Sequence, residues 1–150
     1  MNVREFDTEI FQPEENRSGK LPFISRLAYT SYEINKLHEY VSGFVSDFPS
    51  LKAVDQLLVT TFDFVCKLDI ADKKQLQDIL TKLGNKWKRY EELLMHLSQD
   101  SFDYKILYQA KRYCLSCIAK NIDALEPEKK YQVNYEWQII IMKYNLHLQD

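Results

Sequence analysis

Residues 50–68 read SLKAVDQLLVTTFDFVCKL, a stretch with a broad apolar band. Its apolar residues recur at intervals of three and four, the spacing that aligns side chains on one face of an α-helix. The positions on this face are Leu51, Val54, Leu57, Leu58, Thr61, Phe62, Val65 and Leu68. Because the band is broad, the sequence predicts that this is the most buried helix, with Ser50 as its N-cap.

Three further segments carry the same spacing. Upstream, a helix is predicted from about Phe23 to Asp47, because the residue before a proline avoids helical geometry and Phe48-Pro49 follows. Downstream, helices are predicted from Asp72 to Leu97 and from about Ser101 to Leu125. Gly84-Asn85 lies inside the first of these two. The apolar period is in phase on both sides, so we expect one continuous helix.

The last segment, Glu128 to Leu148, fits two patterns. Pro127 suits the first turn of a helix, and helical spacing predicts one face made of Tyr131, Tyr135, Ile139, Met142 and Leu146. Strand-favouring residues also alternate along the segment: Tyr131, Val133, Tyr135, Trp137, Ile139 and Ile141. We favour the helix. As a strand, this segment would pair with the N-terminus and make the fold α+β.

These segments predict an all-α fold, a four- to five-helix bundle, because each amphipathic helix must cover its apolar stripe with another. The chain has 150 residues, which suits one domain. We therefore assign residues 21–150 to a single helical domain. Residues 1–20 form an irregular N-terminal arm that is either loosely ordered or docked.

The N-terminal arm combines acidic and apolar residues. Its carboxylates are Glu5, Asp7, Glu9, Glu14 and Glu15, and Arg4 is the one basic residue among the first fifteen. Phe6, Ile10 and Phe11 are bulky apolar side chains that are unfavourable in water. We expect them to dock either on the same chain or on a partner.

The overall composition favours some cellular locations and classes of partner over others. The net charge is −2 with no general excess of Lys and Arg, so nucleic acid is not expected as a partner. No apolar run is long enough to span a membrane. The N-terminus is acidic where a secretory signal would be basic and then apolar. Three cysteines without disulfide-type spacing favour a cytoplasmic, reduced protein.

The first candidate site is Cys114-Leu115-Ser116-Cys117. On a helix this spacing puts both sulfurs on one face, so a Cys-liganded zinc site is one alternative. Zinc needs further nitrogen or sulfur ligands, and the candidates are isolated in the sequence: Cys66, His38, His96 and His147. We favour core packing, because free cysteine is among the most buried residue types, and expect no metal and no cofactor.

The second candidate site runs from Arg89 to His96, RYEELLMH. These eight residues resemble the ribonuclease motif of HEPN domains, although Tyr90 replaces the polar residue that usually follows the arginine. The resemblance implies a dimer in which Arg89 stabilises charge and His96 transfers a proton during RNA cleavage. The alternative is a solvated arginine and a histidine favoured by the helix dipole.

The third candidate is a basic patch at i, i+4 and i+7: Lys82, Lys86 and Arg89. Beside aromatic residues, such a patch can hold a phosphate backbone. Trp87 and Tyr90 are in phase with the apolar stripe, however, and are predicted to be buried. Glu91 and Glu92 oppose phosphate binding, so we predict a solvated helix face.

The sequence contains no glycine-rich phosphate loop, zinc-protease motif or nucleophile elbow. We therefore predict a non-enzymatic protein-protein interaction module, such as an adaptor, a complex subunit or an immunity-type inhibitor. Its partner is another protein, and a homodimer stays open. The predicted partner-binding residues are Phe6, Ile10, Phe11, Tyr131, Tyr135 and Trp137.

Overall fold

The computed structural model describes residues 23–144 of the chain. This part folds into five α-helices and one short 3-10 helix, and no strand occurs within it. The α-helices are α1 (Phe23–Ser42), α2 (Lys52–Leu68), α3 (Lys73–Met95), α4 (Phe102–Asp123) and α5 (Pro127–Tyr144), with the 3-10 helix at Pro49–Leu51. The predicted all-α bundle is confirmed.

Helix α2 lies at the centre of the bundle and packs against α1, α3 and α4. Most of its predicted apolar face is buried, but Phe62 is only half-buried. Phe64 is 1% exposed instead. Phe64 lies three residues from Thr61 and four from Leu68, both fully buried, so it belongs to the centre of the buried face.

The ends of the helices show where local signals hold and where they fail. Asp72 caps α3 through a reciprocal pair of hydrogen bonds with Gln75, each 2.8 Å long. Helix α3 then continues through Gly84, as predicted. The assignment of Ser50 as an N-cap is wrong: its hydroxyl donates to Asp103 Oδ2 at 2.7 Å and joins the 3-10 helix to the start of α4.

Helix α1 ends at Ser42, earlier than the predicted Asp47. The backbone tightens there, since the Phe44 amide donates to the Val41 carbonyl at 2.9 Å. Gly43 follows the last helical residue, and glycine favours leaving the helix by about 1 kcal/mol relative to alanine.

The last segment is a helix, so the α+β alternative with a C-terminal strand is wrong. Pro127 is the first residue of α5, as predicted. Helix α5 packs against α3 and α4, which leaves its opposite side facing outward.

One end of the bundle, which we call the base, is held by a partly buried polar network. Arg26 of α1 donates to both carboxylate oxygens of Asp69, at 3.1 and 3.2 Å, and to Asn121 Oδ1 of α4 at 3.3 Å. Lys129 of α5 donates to the carbonyls of Leu68 and Asp69, at 3.2 and 2.6 Å. A cation at the carbonyl end of α2 is favourable, so the network joins four helices.

Candidate functional site

Helix α5 carries apolar side chains on two opposite faces. The inner face consists of Val133, Trp137 and Ile140, of which Val133 is 0% and Trp137 1% exposed. The outer face consists of Tyr131, Tyr135, Ile139 and Met142, with exposed fractions of 77%, 62%, 45% and 79%. At about 3.6 residues per turn, the two sets lie on nearly opposite sides of the helix.

The structure corrects the sequence prediction for this helix. Tyr131, Tyr135, Ile139 and Met142 share one face, as predicted, and that face points away from the core. Trp137 was predicted to bind a partner, and it is buried instead. Its indole lies in phase with Val133 and packs on the core side of α5.

The remaining predicted partner-binding residues, Phe6, Ile10 and Phe11, lie outside the described residues, as does Leu146. Tyr131 and Tyr135 are therefore the predicted partner-binding residues that the described structure places on the surface. Ile139 and Met142 extend the same surface, and the sequence analysis did not assign them to a partner. Their signal was present in the helical spacing, which placed them on one face with Tyr131 and Tyr135.

Alignment distinguishes the outer face of α5 from other exposed apolar residues. Single exposed residues, such as Ile70 after α2 and Met95 at the end of α3, are ordinary on protein surfaces. The outer face instead presents four such residues along about 16 Å, at about 1.5 Å per residue. Contiguous exposed apolar surface marks an interaction site, and tyrosine is enriched at such sites.

The two cysteines of α4 lie in the core, which confirms the core-packing prediction. Cys114 is 0% and Cys117 7% exposed, and the Cys117 thiol faces the Thr30 hydroxyl of α1 at 4.0 Å. Burial raises the pKa of Cys114 to about 12 and that of Cys117 to about 11. Within the described part of the chain, no group of three or more His, Cys, Asp and Glu residues could hold a metal ion.

This burial predicts selective alkylation. At pH 8 we expect iodoacetamide to modify the half-buried Cys66 in the native protein, and Cys114 and Cys117 only after unfolding in urea. The measurement is mass spectrometry of digested peptides over a time course. Modification of Cys114 in the native protein at the rate of Cys66 would contradict this burial.

The same two thiols make the free energy of unfolding depend on pH in the alkaline range. Their pKa values in the folded protein lie above the ordinary 9.0, so the folded state keeps both protons where the unfolded state has lost them. Their contribution to the free energy of unfolding is therefore complete below pH 9 and decreases as the pH rises towards about 12.

Arg89 and His96 are both exposed. Arg89 lies within α3, and His96 is the C-cap residue of that helix. Their offset of seven residues corresponds to about 10 Å along the helix axis. The ribonuclease role of this pair stays a prediction, since exposure fits that interpretation and the solvated one equally.

The aromatic residues beside the basic patch are buried, as predicted. Trp87 is 0% and Tyr90 4% exposed, and the Tyr90 hydroxyl donates to the Leu107 carbonyl. Neither ring is therefore available to stack on a base. The structure does place Lys86 and Arg89 beside α2, where they line a small cleft that the sequence did not indicate.

Because comparisons with known proteins found no match, the outer face of α5 is the main indication of function. Within residues 23–144, no helix is long and apolar enough to cross a membrane. The chain matches no protein-family model, and comparisons with curated proteins and with solved structures gave no match.

Proposed function

We propose that this protein is a helical protein-protein interaction module that binds its partner through the outer face of α5. The observation that carries the proposal is the alignment of Tyr131, Tyr135, Ile139 and Met142 on a helix whose opposite face already packs into the core. A helix with one buried face normally turns a polar face to water. A second apolar face is stabilised when another surface covers it.

The chemistry of this face indicates the kind of partner it fits. Between Tyr131 and Met142 the other residues described as exposed, Asn134 and Gln138, are polar and uncharged, and the exposed Glu128 lies one turn before Tyr131. The face spans about three helical turns, which matches an amphipathic helix with anchors at i, i+4 and i+7. We therefore infer a partner that presents an apolar helix, held by side-chain packing and tyrosine hydrogen bonds. Such association depends only weakly on salt.

The proposal predicts that charge on the outer face abolishes partner binding. We expect Tyr135→Lys/Ile139→Lys to lose the partner, because two buried lysine ammonium groups would be uncompensated in the complex. The control is Ile70→Lys, which places one lysine at an isoleucine that is 77% exposed and lies outside the outer face. The free energy of unfolding of both variants should lie within about 0.5 kcal/mol of that of the natural protein, because the substituted side chains are exposed.

Each of the three proteins serves as the bait in quantitative affinity capture. Light scattering measures the mass of each protein in solution. The proposal is supported if the natural chain and Ile70→Lys capture a protein in stoichiometric amount and the double variant does not. A mass of two chains that the double variant halves would make the partner a second copy. Capture and mass that do not differ among the three proteins would refute the role of the outer face.

A further inference from the structure

A cleft between α2 and α3 has an apolar floor and a basic edge. It has a volume of about 70 Å³ and is lined by Ala53, Gln56, Leu57, Lys86, Arg89, Tyr90 and Leu93. We call it the basic cleft. Its lining includes two cations and no carboxylate, so it suits a ligand that combines negative charge with apolar groups.

The cations along this edge are available to a ligand. Lys82 lies one turn before Lys86 and lines a neighbouring cleft that also contains Asp63 and Asp78. Asp63 already pairs with Lys67 at 3.0 Å. Among residues 23–144, no ion pair is formed by Lys82, Lys86 or Arg89. Lys86 and Arg89 therefore bring two cations to the basic cleft that no described carboxylate pairs with.

The N-terminal arm has the complementary chemistry. Glu5, Asp7 and Glu9 alternate with Phe6 and bring carboxylates close to apolar groups. Ile10 and Phe11 follow at once. We propose that residues 3–15 of the arm dock along the basic cleft of the same chain, with carboxylates facing Lys86 and Arg89 and the Phe11 side chain on the floor.

The length of the arm permits this docking. Arg26 binds Asp69, so α1 begins at the base, beside the end of α2. From Asp69 back to Gln56 in the basic cleft, the rise along α2 is about 20 Å. The twelve residues from Phe11 to Phe23 span at most about 40 Å when extended. Phe11 therefore reaches the cleft with slack, and the inference does not depend on the proposed function of α5.

Two other occupants would use the same cations: the arm of a second copy and a nucleic-acid backbone. A nucleic acid gains much of its affinity for such grooves by stacking bases on exposed aromatic rings. Trp87 is fully buried, and Tyr90 lines the cleft but is only 4% exposed, so neither ring presents an open face to a base. The arm of the same chain fits better and is present at high effective concentration.

The test is photo-crosslinking of the full chain. Phe11 is replaced by p-benzoylphenylalanine, and the protein is irradiated as an equal mixture of 14N- and 15N-labelled chains. Mass spectrometry of digested peptides then shows the crosslinked site and whether both peptides come from one chain. We expect crosslinks within one chain, to residues 53–57 or 86–93.

Charge reversal tests the ionic part of the contact. Lys86→Glu/Arg89→Glu should lower the crosslink yield on the order of tenfold, because two attractive pairs become repulsive. Adding Glu5→Lys/Asp7→Lys/Glu9→Lys should restore it. The matched control, Lys74→Glu/Lys88→Glu, makes the same change at two exposed positions of α3 outside the cleft and should leave the yield unchanged.

Several results would overturn the proposal. Crosslinks to another surface of the chain, or the absence of any crosslink, would show that the arm does not dock in the cleft. Crosslinks between differently labelled chains would assign the cleft to a second copy. A single-stranded RNA oligonucleotide that binds the natural protein and fails to bind Lys86→Glu/Arg89→Glu, in a protein whose arm gives no crosslink to the cleft, would assign it to nucleic acid. Circular dichroism of each variant excludes unfolding as the cause.

Discussion

Trp137→Ala is expected to lower the free energy of unfolding by about 3–5 kcal/mol. The indole is 1% exposed and forms the inner face of α5 together with Val133 and Ile140. Truncation removes its contacts with the core and leaves a cavity that the neighbouring helices fill only in part. Since a domain of this size is stable by about 5–15 kcal/mol, the variant would lose a large share of its stability.

The matched control is Tyr135→Ala, two residues away on the same helix. Tyr135 is 62% exposed, so its removal should change the free energy of unfolding by less than about 0.5 kcal/mol. Urea unfolding followed by far-ultraviolet circular dichroism measures both variants without relying on the lost tryptophan. Equal effects of the two substitutions would mean that α5 does not pack through its inner face.

The helices themselves were predictable because their signal is local. Helix α3 begins at the Asp72 cap and continues through Gly84, since the apolar period on both sides already requires one helix. The burial of Trp87 and of the Cys114 thiol follows from the same periodicity. Such patterns need only the spacing of neighbouring residues, and the sequence contains that information in full.

The orientation of α5 was not predictable from periodicity. Val133 and Trp137 have the same helical period as Tyr131 and Tyr135, so the pattern offers two apolar faces and does not choose between them. The choice depends on which side fits against α3 and α4, which are distant in the sequence. Tryptophan contributes the largest buried area, and this favours the face that contains Trp137.

Contacts over long sequence separations explain the other differences. Ser50 has the right residue type for an N-cap, but its hydroxyl donates a hydrogen bond to Asp103, more than fifty residues later. Lys86 and Arg89 were predicted to lie on a solvated face of α3. Only the packing of α2 alongside makes them the edge of a cleft. Each case depends on a partner that the local sequence does not specify.

The base of the bundle provides the second large effect. Asp69→Asn is expected to lower the free energy of unfolding by about 2–3 kcal/mol, because Arg26 is 4% exposed and would lose this carboxylate while its own charge stays buried. The value lies below the range of about 3–5 kcal/mol for a fully buried pair, since the Asp69 side chain is 27% exposed. The isosteric asparagine preserves packing, so the change reports on charge.

Helix α2 also supplies the matched control for this prediction. Asp63→Asn makes the same substitution in an exposed pair, where Lys67 lies 3.0 Å away and both side chains are about half exposed. Such pairs contribute about 0–1 kcal/mol and weaken with added salt, whereas the Asp69 effect should persist in salt. In an Arg26→Met background, Asp69→Asn should cost much less, since the charge it compensates is gone. If Asp69→Asn and Asp63→Asn have equal effects in urea unfolding, the network does not hold the four helices together at the base, and packing alone does.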